Sequence, residues 1–123
     1  MFNFSILIPT RERPKQLHEL LCSIQKKTSN EYFEVLVALD SDDPMIKQYE
    51  FVCKKHFNNG MLVFRYYYER KECFPDYYNC LAKISAGKYL WVLNDDCIIQ
   101  TKNWDVKALE KIEAFQKENH HDI

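Results

Sequence analysis

The chain alternates short, solid apolar runs with stretches whose apolar residues recur every three or four positions. Phe4-Ser5-Ile6-Leu7-Ile8, stopped by Pro9, has the profile of a buried strand. Pro14 suits the first turn of a helix, and Leu17, Leu20, Leu21 and Ile24 form one stripe along it. Residues 34–39 predict a second strand, closed by the turn chemistry of Asp40-Ser41-Asp42-Asp43-Pro44. A helix is predicted from about Pro44 to Phe57, stopped at Asn58-Asn59-Gly60. Residues 61–67 read as a third strand, 75–86 as a third helix with Gly87 just past its end, and 88–93 as a fourth strand. After Asn94-Asp95-Asp96 a last helix starts near Trp104, with Trp104, Ala108, Ile112 and Phe115 on one side.

This is β-α-β-α-β-α-β-α. Strands that read as unbroken apolar runs are covered on both faces, so the expected fold is α/β: a mostly parallel open sheet with helices on both sides. At 123 residues, with 46% apolar and 28% charged residues, the composition fits one globular domain over residues 1–123.

Charge and composition then remove function classes. Seventeen Lys+Arg against eighteen Asp+Glu give no field that draws the chain to nucleic acid or an anionic membrane. The longest apolar runs, 35–39 and 89–93, are far below the roughly 20 residues of a membrane span. Met1-Phe2-Asn3-Phe4-Ser5 lacks the basic region of a secretory signal. With only Gly60 and Gly87, neither a P-loop nor a G-x-G-x-x-G turn can be written. Five cysteines without a C-x-x-C pair fit neither a disulfide framework nor a zinc knuckle. Cys22, Cys53 and Cys80 read as small buried thiols in helices, in a reduced, cytoplasmic chain. His120-His121 reads as a solvated pair.

In an open parallel sheet, ligands bind outside the carboxyl ends of the strands, where the strand order reverses. Those ends carry Pro9-Thr10-Arg11-Glu12-Arg13, Asp40-Ser41-Asp42-Asp43, Glu69-Arg70-Lys71-Glu72 and Asn94-Asp95-Asp96. With the first strand central, in the order 3-2-1-4, Thr10, Asp40 and Asp96 share one cleft. Adjacent carboxylates after a strand as apolar as Tyr89-Leu90-Trp91-Val92-Leu93 repel unless a cation joins them. A magnesium- or manganese-type ion, which takes one or two carboxylates and fills its other positions with phosphate oxygens and water, meets that need. The plainer alternative is a loop in which Asp95 or Asp96 caps a turn.

The ordered set Ser5-Ile6-Leu7-Ile8-Pro9-Thr10-Arg11, Val35-Leu36-Val37-Ala38-Leu39-Asp40 and Tyr89-Leu90-Trp91-Val92-Leu93-Asn94-Asp95-Asp96 resembles the nucleotide-binding half of family 2 glycosyltransferases, which have the Rossmann-like GT-A fold. The resemblance implies that Pro9, Thr10 and Arg11 line a base-ribose pocket, most often for uridine, and that Asp40 accepts a hydrogen bond from the base. It implies that Asn79 belongs to the nucleotide site, and that Asp96 is the ligand of Mn2+ or Mg2+ with Asp95 beside it, toward the ribose or the metal. Trp104 resembles the aromatic residue that packs the following helix. The implied activity is metal-dependent, inverting transfer from a nucleoside diphosphate-sugar to an acceptor that the sequence does not identify.

Four departures accompany the resemblance. Asn94 stands where many members carry the first Asp of the D-x-D motif. Tyr78 takes the place of a common arginine, which leaves diphosphate neutralisation to Arg13, Arg70 or Lys71. The turn after Asp40 lacks its usual glycine. About 27 residues follow Asp96, so the acceptor half, with the family's catalytic base, is short or missing. Asp105, Glu110 and Glu113 read as solvated charges rather than a replacement base. The alternative to an enzyme is therefore a nucleotide-sugar-binding or interaction module that needs a second copy or a partner chain to supply the acceptor side. Eight tyrosines, clustered at 66–68 and 77–78, offer stacking on sugars or a partner but suit packing better.

Overall fold

The computed structural model describes residues 2–29 and 32–119. Its elements are β1 (Phe2–Pro9), α1 (Pro14–Lys27), β2 (Phe33–Asp40), α2 (Ile46–Asn58), β3 (Val63–Tyr68), α3 (Phe74–Ile84), β4 (Gly87–Val92) and α4 (Trp104–Asn119). The strands pair in parallel in the expected order β3-β2-β1-β4. All eight residues of β2 are buried, which explains its unbroken apolar run. His120-His121 lies outside the described residues.

Alternate strand residues feed two cores. Phe4, Ile6 and Ile8 of β1 and Val35, Val37 and Leu39 of β2 pack on the stripe of α1, on Tyr49 and Val52 of α2 and on Trp104 of α4. On the other face Leu7, Leu36 and Ala38 meet Tyr77 and Leu81 of α3 alone. The two faces are thus unequally covered. Because α3 packs against β1 and β2, the outer face of edge strand β4 is bare, and Leu90 and Val92 are exposed. The fourth apolar run is therefore one-sided, unlike β1 and β2. No helix among the described residues is long and apolar enough to cross a membrane.

Several boundaries differ from the sequence reading for identifiable reasons. The second helix begins at Ile46 rather than Pro44, because the Asp43 carboxylate accepts the Met45 N–H at 2.8 Å and holds 43–45 in a turn. The third helix ends at Ile84, and Gly87 opens β4 instead of capping that helix. A Cβ at Gly87 would lie 2.5 Å from the Ser5 backbone nitrogen, so only glycine permits this approach to β1. The last helix buries Trp104 and half-buries Ala108 and Ile112, but Phe115 is 53% exposed.

Two buried carboxylates lock the amino ends of the strands. Glu34 accepts hydrogen bonds from the Ser5 hydroxyl at 2.6 Å and the Ala86 N–H at 2.7 Å. Asp105, 1% exposed, accepts from the Ser29 N–H at 3.0 Å and the Ser29 hydroxyl at 2.9 Å. Trp104 Nε1 donates to Thr28 Oγ1 at 2.8 Å beside it. Asp105 is thus a buried anchor rather than a solvated charge. It sits where α1 ends, at the end of the sheet remote from Asp95 and Asp96.

Candidate functional site

The opposite, carboxyl rim assembles the sequence-predicted residues. The Thr10 hydroxyl, one residue past β1, donates to Asp95 Oδ2 at 2.6 Å and lies 2.8 Å from the Tyr49 hydroxyl. A hydroxyl has one proton, so Tyr49 must donate to Thr10. Tyr49 in turn accepts the Arg13 N–H at 2.8 Å. The result is a directed chain, Tyr49 to Thr10 to Asp95, with the Arg13 guanidinium 3.5 Å from the second Asp95 oxygen. Burial pushes Tyr49 up to about 12, so it remains a donor near neutral pH. Burial also raises the Asp95 carboxyl above its ordinary value, against the lowering pull of Thr10 and Arg13.

Arg11 reaches the next strand end. Its Nε donates to Asp40 Oδ2 at 2.7 Å and its Nη2 to the Tyr77 hydroxyl at 2.8 Å and the Lys71 carbonyl at 3.1 Å. Tyr77 donates to the other Asp40 oxygen and accepts the Lys71 N–H at 2.9 Å. The bonds to Asp40 and then Tyr77 hold the guanidinium more firmly protonated than usual. Asp40 is consequently 1% exposed, with Arg70 at 3.7 Å outside the contact. Between Arg11 and Arg13, Glu12 adopts φ 53°, left-handed for a non-glycine residue. Its N–H is gripped at 2.9 Å by Asp43, the carboxylate that also shapes the next turn.

Arg11, Arg13, Phe74, Asn94, Asp95 and Asp96 line one cavity of about 390 Å³. Asp95 forms its buried wall and Asp96 is exposed. Thr10, Asp40 and Asp96 thus belong to one rim, linked through Asp95 and Arg11. Pro9 is buried at the end of β1, level with Ala38. Arg70 pairs with Asp40 and Asp42, and the Lys71 ammonium lies 5.5 Å from the Tyr68 ring centre, so neither lines the cavity. Asn79 is exposed on α3 and is not part of the lining either. Glu110 and Glu113 are exposed on α4.

Residues 5–119 match glycosyl transferase family 2. The chain belongs to that family. No curated protein matches it by sequence. Among solved structures, residues 1–349 of S. aureus TarS are similar at TM-score 0.69 and 25% identity, over 97% of this chain and 33% of that one. The same TarS segment in complex with UDP-GlcNAc gives TM-score 0.70 at 24% identity, over 97% and 32%. The mannosyltransferase PcManGT from Pyrobaculum calidifontis, in complex with GDP-Man and Mn2+, gives TM-score 0.74 at 11% identity, over 87% and 31%. All share the GT-A fold, and this family 2 chain spans about a third of their length.

Some participants in this family 2 site escape sequence reasoning. Tyr49 and Tyr77 occupy apolar positions of their helices, and only their placement one turn into helices that start at the rim hints at a polar role. A second cluster was also missed, between α1 and α2. His18 and Cys22 are four apart on α1, and His56 comes from the last turn of α2. Of the three helical thiols expected to be buried, Cys53 is, whereas Cys22 and Cys80 are half-buried, because Cys22 faces the seam between α1 and α2 and α3 leaves Cys80 at the margin of its smaller core. Burial, then His18 and Lys55, pushes the His56 imidazole down to about 4. Its Nδ1 is buried and has no hydrogen-bond partner among the described residues.

Proposed function

We propose that the chain is the donor-binding half of a sugar-transfer machinery, taking a nucleoside diphosphate-sugar at the carboxyl rim, with UDP-sugars preferred. The cavity that joins Asp95, Asp96, Asn94 and two arginines at the end of β1 and β4 is the observation that carries this reading. TarS complexes with UDP and UDP-GlcNAc, and the Mn2+-containing complex of PcManGT, support it by kinship of fold.

The donor set fits a hard divalent cation. Burial raises the Asp95 carboxyl, meaning that its anion lacks solvation a cation would restore, and exposed Asp96 adds a second oxygen ligand. Asp96, with Asp95, would hold Mn2+ or Mg2+, which when bound supplies Lewis-acid stabilisation of the diphosphate charge. The chain's own residues do the rest. Thr10 and Arg13 fix Asp95, while Arg13 at the cavity adds positive charge toward phosphate oxygens. Pro9, Thr10 and Arg11 border the base and ribose, with Asn79 as a more distant contact. Asp40 is capped by Arg11 and Tyr77, so direct pairing with a base N–H requires the Arg11 guanidinium to swing aside, with Arg70 beside it to keep the carboxylate paired. Arg70 and Lys71 contribute field rather than contact to the diphosphate.

In the inverting reaction a carboxylate takes the proton of the attacking acceptor hydroxyl. Asp105 is locked at the far end of the sheet, and Glu110 and Glu113 lie off the cavity. None of these three carboxylates reaches the cavity, and in the second reading, a module that docks a partner for the acceptor side, the exposed Leu90 and Val92 on β4 offer the docking surface. A panel of sugar nucleotides with simple glycoside acceptors, followed by mass spectrometry of products, tests the proposal. Slow hydrolysis and poor transfer by the isolated chain are expected, since an absent base alone costs ~10²–10⁴-fold. Rapid transfer by the monomer would place a base within these residues, and failure to bind any sugar nucleotide would leave only an interaction module.

A further inference from the structure

We propose that His18, Cys22 and His56 form a second metal site, for a zinc-class ion, that ties α1 to α2 and is independent of the donor site. Residues four apart on a helix share one face, so His18 and Cys22 point the same way, and α2 brings His56 against them. His18 Nδ1 lies 3.0 Å from His56 Nε2. Cys22 Sγ lies 3.6 Å from His18 Nε2, and 4.0 Å from both His18 Nδ1 and His56 Nε2. One ligand atom from each residue falls within 4.8 Å of the others.

With Nδ1 as the His18 ligand atom, the set is 3.0 Å between nitrogens and 4.0 Å from each to sulfur, close to what a tetrahedral ion imposes. Metal–nitrogen bonds of about 2.0–2.1 Å and a metal–sulfur bond of about 2.3 Å put two nitrogens about 3.3 Å apart, and each about 3.6 Å from sulfur. Shifts of a few tenths of an ångström, within reach of side-chain rotation, close the difference. Two imidazoles and a thiolate are a borderline-soft donor set that selects zinc-like ions over manganese or magnesium.

The His56 ring turns Nε2 into the cluster, where it pairs with His18 Nδ1, the atoms an ion would bridge in place of that hydrogen bond. His18 also lines a cavity of about 470 Å³ with Lys15, Lys47 and Lys55, which gives the ion an entry path and room for a fourth ligand. Three protein ligands and one open position are a common zinc arrangement. The lysines oppose a bare dication, so an anionic fourth ligand such as chloride or hydroxide matches the mouth of the site.

Co2+ added to the reduced full chain reads this out by absorption. The wild type is expected to show a thiolate-to-cobalt charge-transfer band and tetrahedral d–d bands, titrating at one ion per chain and displaced by Zn2+. Cys22→Ser should abolish the charge-transfer band, while Cys73→Ser, at an exposed cysteine, should leave it intact. His56→Gln and His18→Gln should each weaken binding by about tenfold or more, since even groups that merely orient ligands cost ~10–100-fold. Circular dichroism checks that each variant folds; should Cys22→Ser fail, the two glutamine variants decide the matter. Zn2+ should raise the Tm of the wild type and not that of His56→Gln. The absence of a charge-transfer band in the wild type, or a band that survives Cys22→Ser, would overturn the proposal. None of these readouts involves nucleotide, so failure here leaves the donor-site reading untouched.

Discussion

Both ends of the sheet bury carboxylates, and Glu34 and Asp105 at one end are satisfied differently from Asp40 and Asp95 at the other, where a third, Asp43, is bound by backbone N–H groups and acts as a local anchor. At the amino end, Glu34 and Asp105 accept hydrogen bonds from serine hydroxyls and backbone N–H groups, partners that are neutral and local to the loops they tie down. At the carboxyl end, Asp40 and Asp95 face the guanidinium groups of Arg11 and Arg13, which also line the cavity shared with Asp96. Burial alone does not separate an anchor from a site. What separates them is a cationic partner at an open mouth, with charge left over for a ligand.

The contrast predicts that substitutions at one rim cost binding and at the other cost stability. The largest effect belongs to Asp96→Ala: Mn2+-dependent affinity for UDP should fall on the order of 100-fold or more by calorimetry. Its Tm should stay near wild type, because an exposed rim residue contributes little to stability. Next comes Glu34→Ala, which strands the Ser5 hydroxyl and the Ala86 N–H and should lower stability by about 2 kcal/mol in urea unfolding, with UDP affinity unchanged. Arg13→Gln should weaken UDP binding by about tenfold, because it removes both the charge facing Asp95 and positive field at the cavity. The smallest effect is expected from Asp105→Asn, a loss of about 1 kcal/mol by thermal unfolding without change in UDP affinity, since the amide oxygen keeps part of the bonding to Ser29. A binding loss in Glu34→Ala or Asp105→Asn in a folded protein would erase the distinction between the rims.

Patterns that concern a whole element were legible in the sequence. The unbroken run of β2 announced burial on both faces, and Leu17, Leu20, Leu21 and Ile24 announced the helix that covers one of them. Strand ends followed from the fold class, so Thr10, Asp40 and Asp96 could be assigned to one rim. Pairings between distant side chains were not legible. Nothing local tells that Tyr49 donates toward Thr10 or that Tyr77 caps Asp40, because each hydroxyl sits on a residue that also satisfies the apolar pattern. Gly87 looked like a helix stop because its closeness to Ser5 exists only after β4 pairs with β1. Asp105 looked solvated because its helix is amphipathic, while its partner Ser29 lies 76 positions away. His18 and Cys22 carried a readable i, i+4 signal, but His56 joins them only through the packing of α1 on α2.

The central claim is that the carboxyl rim takes a nucleoside diphosphate through a divalent cation. Titration of UDP into the wild-type chain, with Mn2+ and then with a chelator, tests it most directly. Saturable one-to-one binding in Mn2+ is expected, weakening at least about tenfold when the metal is removed, since Asp96 would hold the cation that offsets the diphosphate charge. Equal affinity in both conditions, or no binding in either, would contradict it.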